Sequence, residues 1–141
     1  MTREQVVSFM QALQRAWTSR DVAALTGAHA DDGVIFSPMF GEVHGREGIE
    51  KTYRDMFRAF GDWTWEGQDL IIDGTRAVQL AMVTATHTSE LFGVEPTHRR
   101  FKVQAALVFE LRDGKILSER RYYDFSGLLI QLGVLKAKPG K

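Results

Sequence analysis

The chain has 141 residues, of which 44% are hydrophobic and 26% charged, the length and balance of one globular domain able to bury its own core. Lys plus Arg and Asp plus Glu each number 18, for a formal net charge of zero, so no basic excess advertises a nucleic-acid or membrane-surface partner. Cysteine is absent, which excludes disulfide frameworks, thiol nucleophiles and thiolate metal sites.

Val6, Met10, Leu13 and Trp17, widened by Phe9 and Ala16, recur at helical spacing and predict a helix over 3–19. Arg3 and Glu4 stand where a signal peptide needs an apolar run. No stretch approaches the roughly 20 apolar residues of a membrane span, so a soluble, cytoplasmic protein is expected. Asp21 sits in N-cap position before a short second helix at Val22–Leu25. Val34, Ile35 and Phe36 read as a short strand, and residues 37–45, with Pro38, Gly41 and Gly45, as a loop. Ile49, Tyr53, Phe57 and Phe60 mark one face of a third helix over 46–60. Beyond Gly61 the period becomes strand-like, over about 62–72, 75–88, 99–111 and 115–125. Asp73-Gly74 and Asp113-Gly114 are tight-turn dipeptides, and 91–98 is a loop. Helices first and strands afterwards predict an α+β fold, a single domain over 1–141 with three helices on one face of a curved, mainly antiparallel sheet. Residues 136–141 are expected to form a flexible tail.

In the last hairpin Phe101, Val103, Ala105, Leu107, Phe109 and Leu111 alternate with Lys102, Gln104 and Glu110, so the first set should face the helices. A turn at Asp113-Gly114 pairs Leu111 with Ile116. Continued without interruption, that register sets Leu107 opposite Arg120, Ala105 opposite Tyr122 and Val103 opposite Asp124. Asp124 is then expected to point inward with Arg120 and Tyr122, and a carboxylate in an apolar cleft is a candidate general acid/base. The competing structural reading has Asp124 ending the strand and either pairing with a nearby Arg or capping the segment Ser126 to Leu132.

In the preceding hairpin Trp63, Trp65 and Ile71 fall with Val78, Leu80 and Met82 on the bulkier face, while His87 alternates to the other. His87 is therefore only a subsidiary candidate, and His29, His44 and His98 receive no role. Trp17, Met39, Phe40, Tyr53, Phe57 and Met82, with Val103 and Ala105, are expected to line an apolar pocket; Tyr53 can also donate a hydrogen bond to a carbonyl. No Gly-rich phosphate loop, metal-ligand spacing or Gly-x-Ser-x-Gly elbow occurs, so neither metal nor cofactor is expected.

The string Ala85-Thr86-His87-Thr88-Ser89-Glu90-Leu91-Phe92-Gly93-Val94-Glu95-Pro96-Thr97-His98-Arg99 resembles the SnoaL-like polyketide cyclases. So do Gly45-Arg46-Glu47-Gly48-Ile49, Phe60-Gly61-Asp62-Trp63, Asp113-Gly114-Lys115-Ile116, Tyr123-Asp124 and Leu128-Leu129-Ile130-Gln131-Leu132-Gly133-Val134. The resemblance covers nearly the whole chain. It implies the cone-shaped fold of the superfamily resembling nuclear transport factor 2. It also implies a cofactor-independent intramolecular aldol condensation, with Asp124 as acid/base on an apolar carbonyl compound. Ala85, Ser89, His98, Arg120 and Gly61 depart from the family's usual residues and bear on loop geometry and substrate. Epoxide hydrolysis with Asp124 activating water, and a non-catalytic binding or dimerisation module, are the rival readings. Ala106, Val108, Leu117, Tyr123 and Phe125 on the nominally outer face suggest a homodimer or higher homo-oligomer.

Overall fold

The computed structural model describes residues 1–137; of the expected tail, 138–141 lie outside the described residues. Helix α1 (Arg3–Ser19) starts at a capping box, with Thr2 Oγ1 accepting from the Gln5 amide and Gln5 Oε1 accepting from the Thr2 amide. It ends at Arg20 in the left-handed conformation. Asp21 caps α2 (Val22–Gly27) by accepting from Ala24 N at 3.0 Å. Strand β1 (His29–Ser37) turns back into β2 (Gly41–His44), then α3 (Gly45–Ala59) follows. The expected loop over 37–45 thus holds a four-residue edge strand. Its exposed Gly41, Glu42 and His44 gave no apolar alternation by which to recognise it.

Strands β3 (Thr64–Asp73), β4 (Arg76–Thr86), β5 (Arg100–Arg112) and β6 (Lys115–Tyr122) complete a six-stranded sheet in the order β2-β1-β6-β5-β4-β3. All neighbours are antiparallel except β1 and β6, which run parallel. Four helices on a mixed sheet make the α+β class that the element order implied. Val6, Met10, Leu13 and Trp17 of α1 and Ile49, Tyr53 and Met56 of α3 bury their stripes against Phe101, Ala105, Leu107 and Phe109 of β5.

Two bulges correct the expected faces. Leu111 pairs with Ile116, as the Asp113-Gly114 turn requires, but the next pair is Glu110 with Ser118. Leu117 is the extra residue of a β-bulge, and beyond it the register runs Phe109 with Glu119, Val108 with Arg120, Leu107 with Arg121 and Ala106 with Tyr122. Every side chain after the bulge changes face. Glu119 and Arg121 therefore point inward, whereas Arg120 and Tyr122 stand on the outer face, with Arg120 over the Phe36 ring and Tyr122 exposed.

In β3 a register shift between Gly67 and Leu70 has the same effect, leaving Trp65 buried and Ile71 exposed. The inner face of β4 carries the small set Ala77, Gln79, Ala81, Val83 and Ala85, and His87 continues that parity as a buried residue. Val78, Leu80 and Met82 lie on the opposite face, half-buried, so Met82 does not face the interior.

Helix α4 (Phe125–Gln131) closes the described fold, with Leu128 and Leu132 buried. Its N-cap is Asp124, whose carboxylate accepts from Gly127 N at 2.8 Å. Asp124 lies past the end of β6, exposed, so its expected inward orientation is corrected; the capping alternative describes its contacts. Asp124→Ala is expected to lower the unfolding free energy by about 1 kcal/mol, while Asp124→Ser, which restores a capping oxygen, recovers most of it. Urea denaturation of the two variants checks this, and equal losses would contradict the assigned cap.

Candidate functional site: a charged floor beneath an aromatic cleft

Residues two apart on a strand share a face. The bulge therefore aligns Glu119, Arg121 and, just past the strand end, Tyr123 toward the helices. Arg121 Nε donates to Glu119 Oε2 at 2.5 Å, and both side chains are almost wholly buried, at 6% and 0% exposure. His29, at the start of β1, places Nε2 3.8 Å from Glu119 Oε1 and 2.9 Å from the Tyr53 hydroxyl of α3. His29 and Tyr53 are also fully buried. The position of His29 is fixed from behind by Arg46, whose Nε donates to the His29 carbonyl at 2.8 Å.

Above this floor lies an apolar cleft. Trp17 and Met56 form its helical wall, Trp65, Val83, Phe101, Val103, Ala105 and Leu107 its sheet wall, and Met39, Phe40, Trp63 and Leu128 its rim. The ring of Trp17 stacks on Trp65 with centroids 4.5 Å apart and meets Tyr53 edge-on at 5.6 Å. The polar residues reaching the cleft are Arg121 and Tyr123. The Arg121 guanidinium lies 5.3 Å from the Trp17 ring centre and 5.4 Å from that of Tyr53, within cation–π range. Of its three nitrogens only Nε makes a hydrogen bond within the described residues, and buried Nη2 has no partner.

The protonation states follow from this arrangement. Burial alone would lower the Arg121 guanidinium, but Glu119 and the Tyr53 oxygen raise it above its ordinary value, so it stays charged. Burial, reinforced by Glu119, raises the Tyr53 hydroxyl and keeps it protonated. Burial likewise pushes Tyr123 up to about 12, against the pull of Arg121 and the Met39 amide. His29 is lowered to about 4 by burial, with Arg121 and Arg46 acting in the same direction and Glu119 opposing. The floor at neutral pH is thus one cation paired with one anion, backed by a neutral imidazole and a phenol. An ion pair this deep costs desolvation that its attraction barely offsets.

The residues expected from sequence separate into groups. Trp17, Val103 and Ala105 line the cleft. Tyr53 lies behind its wall, in the layer that holds His29, and half-buried Phe57 joins the aromatic cluster against Trp17 and Trp63. Met82, Arg120 and Tyr122 are on the other side of the sheet, and Asp124 is at the surface. His87 is buried at a second apolar space beneath α4. Glu119, Arg121 and His29 were not expected, and Tyr123 and Phe125, expected on the outer face, instead line the cleft and the space beneath α4 respectively. The available signal was a carboxylate and a guanidinium two apart in one strand, a spacing that puts both on one face whichever face that is. Among the described residues no cluster of His, Asp and Glu is disposed to hold a metal ion, and no helix is long and apolar enough to cross a membrane.

This geometry, a sheet-and-helix cleft with a buried polar floor, is of the kind that receives small molecules. The chain belongs to the SnoaL-like polyketide cyclase family, whose model matches residues 7–132. Nogalonic acid methyl ester cyclase of Streptomyces nogalater is 43% identical over 47 residues, a match covering 33% of this chain and 35% of that protein. Among solved structures, IdmH of Streptomyces antibioticus, a proposed polyketide cyclase, shares 30% identity over 92% of this chain and 99% of its own, with a TM-score of 0.75. AclR of Streptomyces galilaeus, a proposed hydroxylase, shares 25% identity over 98% of this chain and 91% of its own, with a TM-score of 0.82.

The neutral His29 makes stability pH-dependent. In the unfolded chain the imidazole takes a proton at its ordinary 6.5, in the folded chain only near 4. Between those values the unfolded state binds more protons, so stability is full above pH 6.5 and falls as pH drops toward 4. The loss reaches about 3 kcal/mol at the lower end. Denaturant midpoints measured from pH 7 to 5, above most carboxylate titrations, should fall in the wild type and fall less steeply in His29→Gln, in which the buried His87 still contributes. Equal slopes would contradict a buried neutral His29.

Proposed function

We propose that the chain is a cyclase-type enzyme acting on an apolar, polyketide-like molecule with an acidic 1,3-dicarbonyl unit, whose enolate oxygen is held by Arg121. The observation that carries this reading is a charged guanidinium with unbonded nitrogens in an otherwise apolar, aromatic cleft. A preorganised cation in a water-poor site stabilises developing negative charge without reorganisation. No carboxylate or imidazole lines the cleft among the described residues, so the reading places the acidity in the substrate and the stabilisation in the protein. The α-proton leaves to solvent, the enolate carbon forms a bond to a second carbonyl, and the resulting alkoxide takes a proton back. The net change is an isomerisation. Tyr123, protonated at neutral pH, would donate a hydrogen bond to that alkoxide from the same face. Trp17, Trp65 and Phe101 would hold the reacting carbons together against the floor.

This reading moves the expected chemistry from Asp124 to Arg121. Epoxide hydrolysis through Asp124 loses its supporting premise along with the inward orientation. A non-catalytic binding module is the second reading, favoured by the lack of a proton acceptor along the cleft, and it predicts that ligands are recovered unchanged. A second copy of this chain is proposed as the partner of the outer sheet face. There Val78, Leu80, Met82 and Val108 stand half-buried and Ile71 and Tyr122 exposed.

A pH titration of a bound aromatic 1,3-diketone, followed by its enolate absorbance, tests the assignment. Binding to the wild type should lower the apparent enol pKa by about one unit or more, the direction set by an adjacent opposite charge. The paired variant Glu119→Leu with Arg121→Met removes both charges without stranding either. It should raise the enol pKa above the free value, because only desolvation remains. The same pKa in both proteins would remove Arg121 from the chemistry.

A further inference from the structure

A second apolar space lies beneath α4, bounded by Phe60, Leu91, Val94, Phe125, Leu129 and Leu132, and it shares Met39 and Leu128 with the first cleft. One polar residue lines it, His87, which is 2% exposed and carries an Nε2 with no partner. The other ring nitrogen is committed: the Thr97 amide donates to His87 Nδ1 at 3.2 Å, with Thr97 Oγ1 also nearby at 3.3 Å. A backbone N–H can only donate, so Nδ1 must present its lone pair and the proton of the neutral ring resides on Nε2. The backbone of His87 is itself pinned across the loop, donating to the Arg99 carbonyl at 3.0 Å and accepting from the His98 amide at 2.9 Å. The Phe60 ring lies against the imidazole with centroids 5.6 Å apart. Burial lowers the ring's affinity for a second proton, as does His98 nearby, against the Ser89 backbone carbonyl and Glu90.

The structure thus holds a fixed, desolvated N–H donor in an apolar space, with no hydrogen bond from it to any of the described residues. A buried donor left unsatisfied is costly. We propose that this space is a second binding subsite, taking the neutral, carbonyl-bearing end of the molecule whose acidic end sits at Arg121. A ketone, ester or quinone oxygen would accept from His87 Nε2. The proposal rests on the reading of the first cleft for the identity of the ligand, but the donor and its space stand independently of Arg121. The two ends call for different chemistry: a guanidinium selects an anion, and a neutral imidazole N–H selects an uncharged acceptor. Met39 and Leu128 separate the two, and a ligand spanning them would displace or pass those side chains.

The test uses acetophenone, with ethylbenzene as its carbonyl-free counterpart, and nitrogen-15 NMR of the His87 ring. The free wild type should show the Nε2–H tautomer at neutral pH. Acetophenone should shift the Nε2 resonance while ethylbenzene leaves it nearly in place. His87→Phe, which keeps the aromatic packing, should weaken acetophenone about three- to tenfold and ethylbenzene little. Repeating the titration in Glu119→Leu with Arg121→Met separates the two ideas: a retained His87 shift supports the subsite whether or not Arg121 holds an enolate. An Nδ1–H tautomer, no His87 shift at saturating acetophenone, or equal weakening of both probes by His87→Phe would overturn it.

Discussion

One extra residue in β6 decides what this protein presents to a ligand. Leu117 bulges opposite the Glu110–Leu111 step, and because side chains alternate with a period of two, that single insertion turns Glu119 and Arg121 into the core. An uninterrupted ladder would have buried Ser118, Arg120 and Tyr122 and left the ion pair in water. The floor of the cleft, the neutrality of His29 behind it and the charge facing the aromatic walls all depend on that local break in pairing.

The cost of that arrangement is substantial. Two buried charges stabilise a fold little, and well-packed apolar residues in their place are often as stable or more so. Glu119 compensates only one edge of the Arg121 guanidinium, and Tyr53 and His29 fill the layer behind it rather than the cleft. Arg121 lines the space walled by Trp17, Trp65 and Phe101, and its two Nη nitrogens make no hydrogen bond to the described residues. A core built for stability alone would have satisfied or eliminated them. Such residual imbalance is characteristic of sites whose missing partner is a ligand.

Much of the architecture was legible because it is written locally. The Val6, Met10, Leu13 and Trp17 stripe, the Asp21 cap and the Asp113-Gly114 turn each encode their element within a few residues, and the turn correctly pairs Leu111 with Ile116. Asp113 and Gly114 both adopt positive φ, at 51° and 76°, as a two-residue hairpin turn of this type demands. The site was legible less well because its position depends on bulges, which leave no turn residue to announce them. Leu117 looks like any strand residue, so the alternation carried Asp124 inward on paper. In β4 bulk favours Val78, Leu80 and Met82 for the core side, whereas the buried set is Ala77, Gln79, Ala81, Val83 and Ala85. The same inversion turns His87 inward. Element order carried the α+β class and the family resemblance agreed with it, but neither reaches these local offsets, which each chain sets for itself.

The most direct measurement is a crystal structure of the protein with an aromatic 1,3-diketone bound. The account predicts the rings between Trp17, Trp65 and Phe101 and an enolate oxygen about 3 Å from an Arg121 guanidinium nitrogen, with Asp124 still capping α4. A ligand seated away from the cleft, or one whose oxygens contact Asp124 while Arg121 points elsewhere, would contradict it.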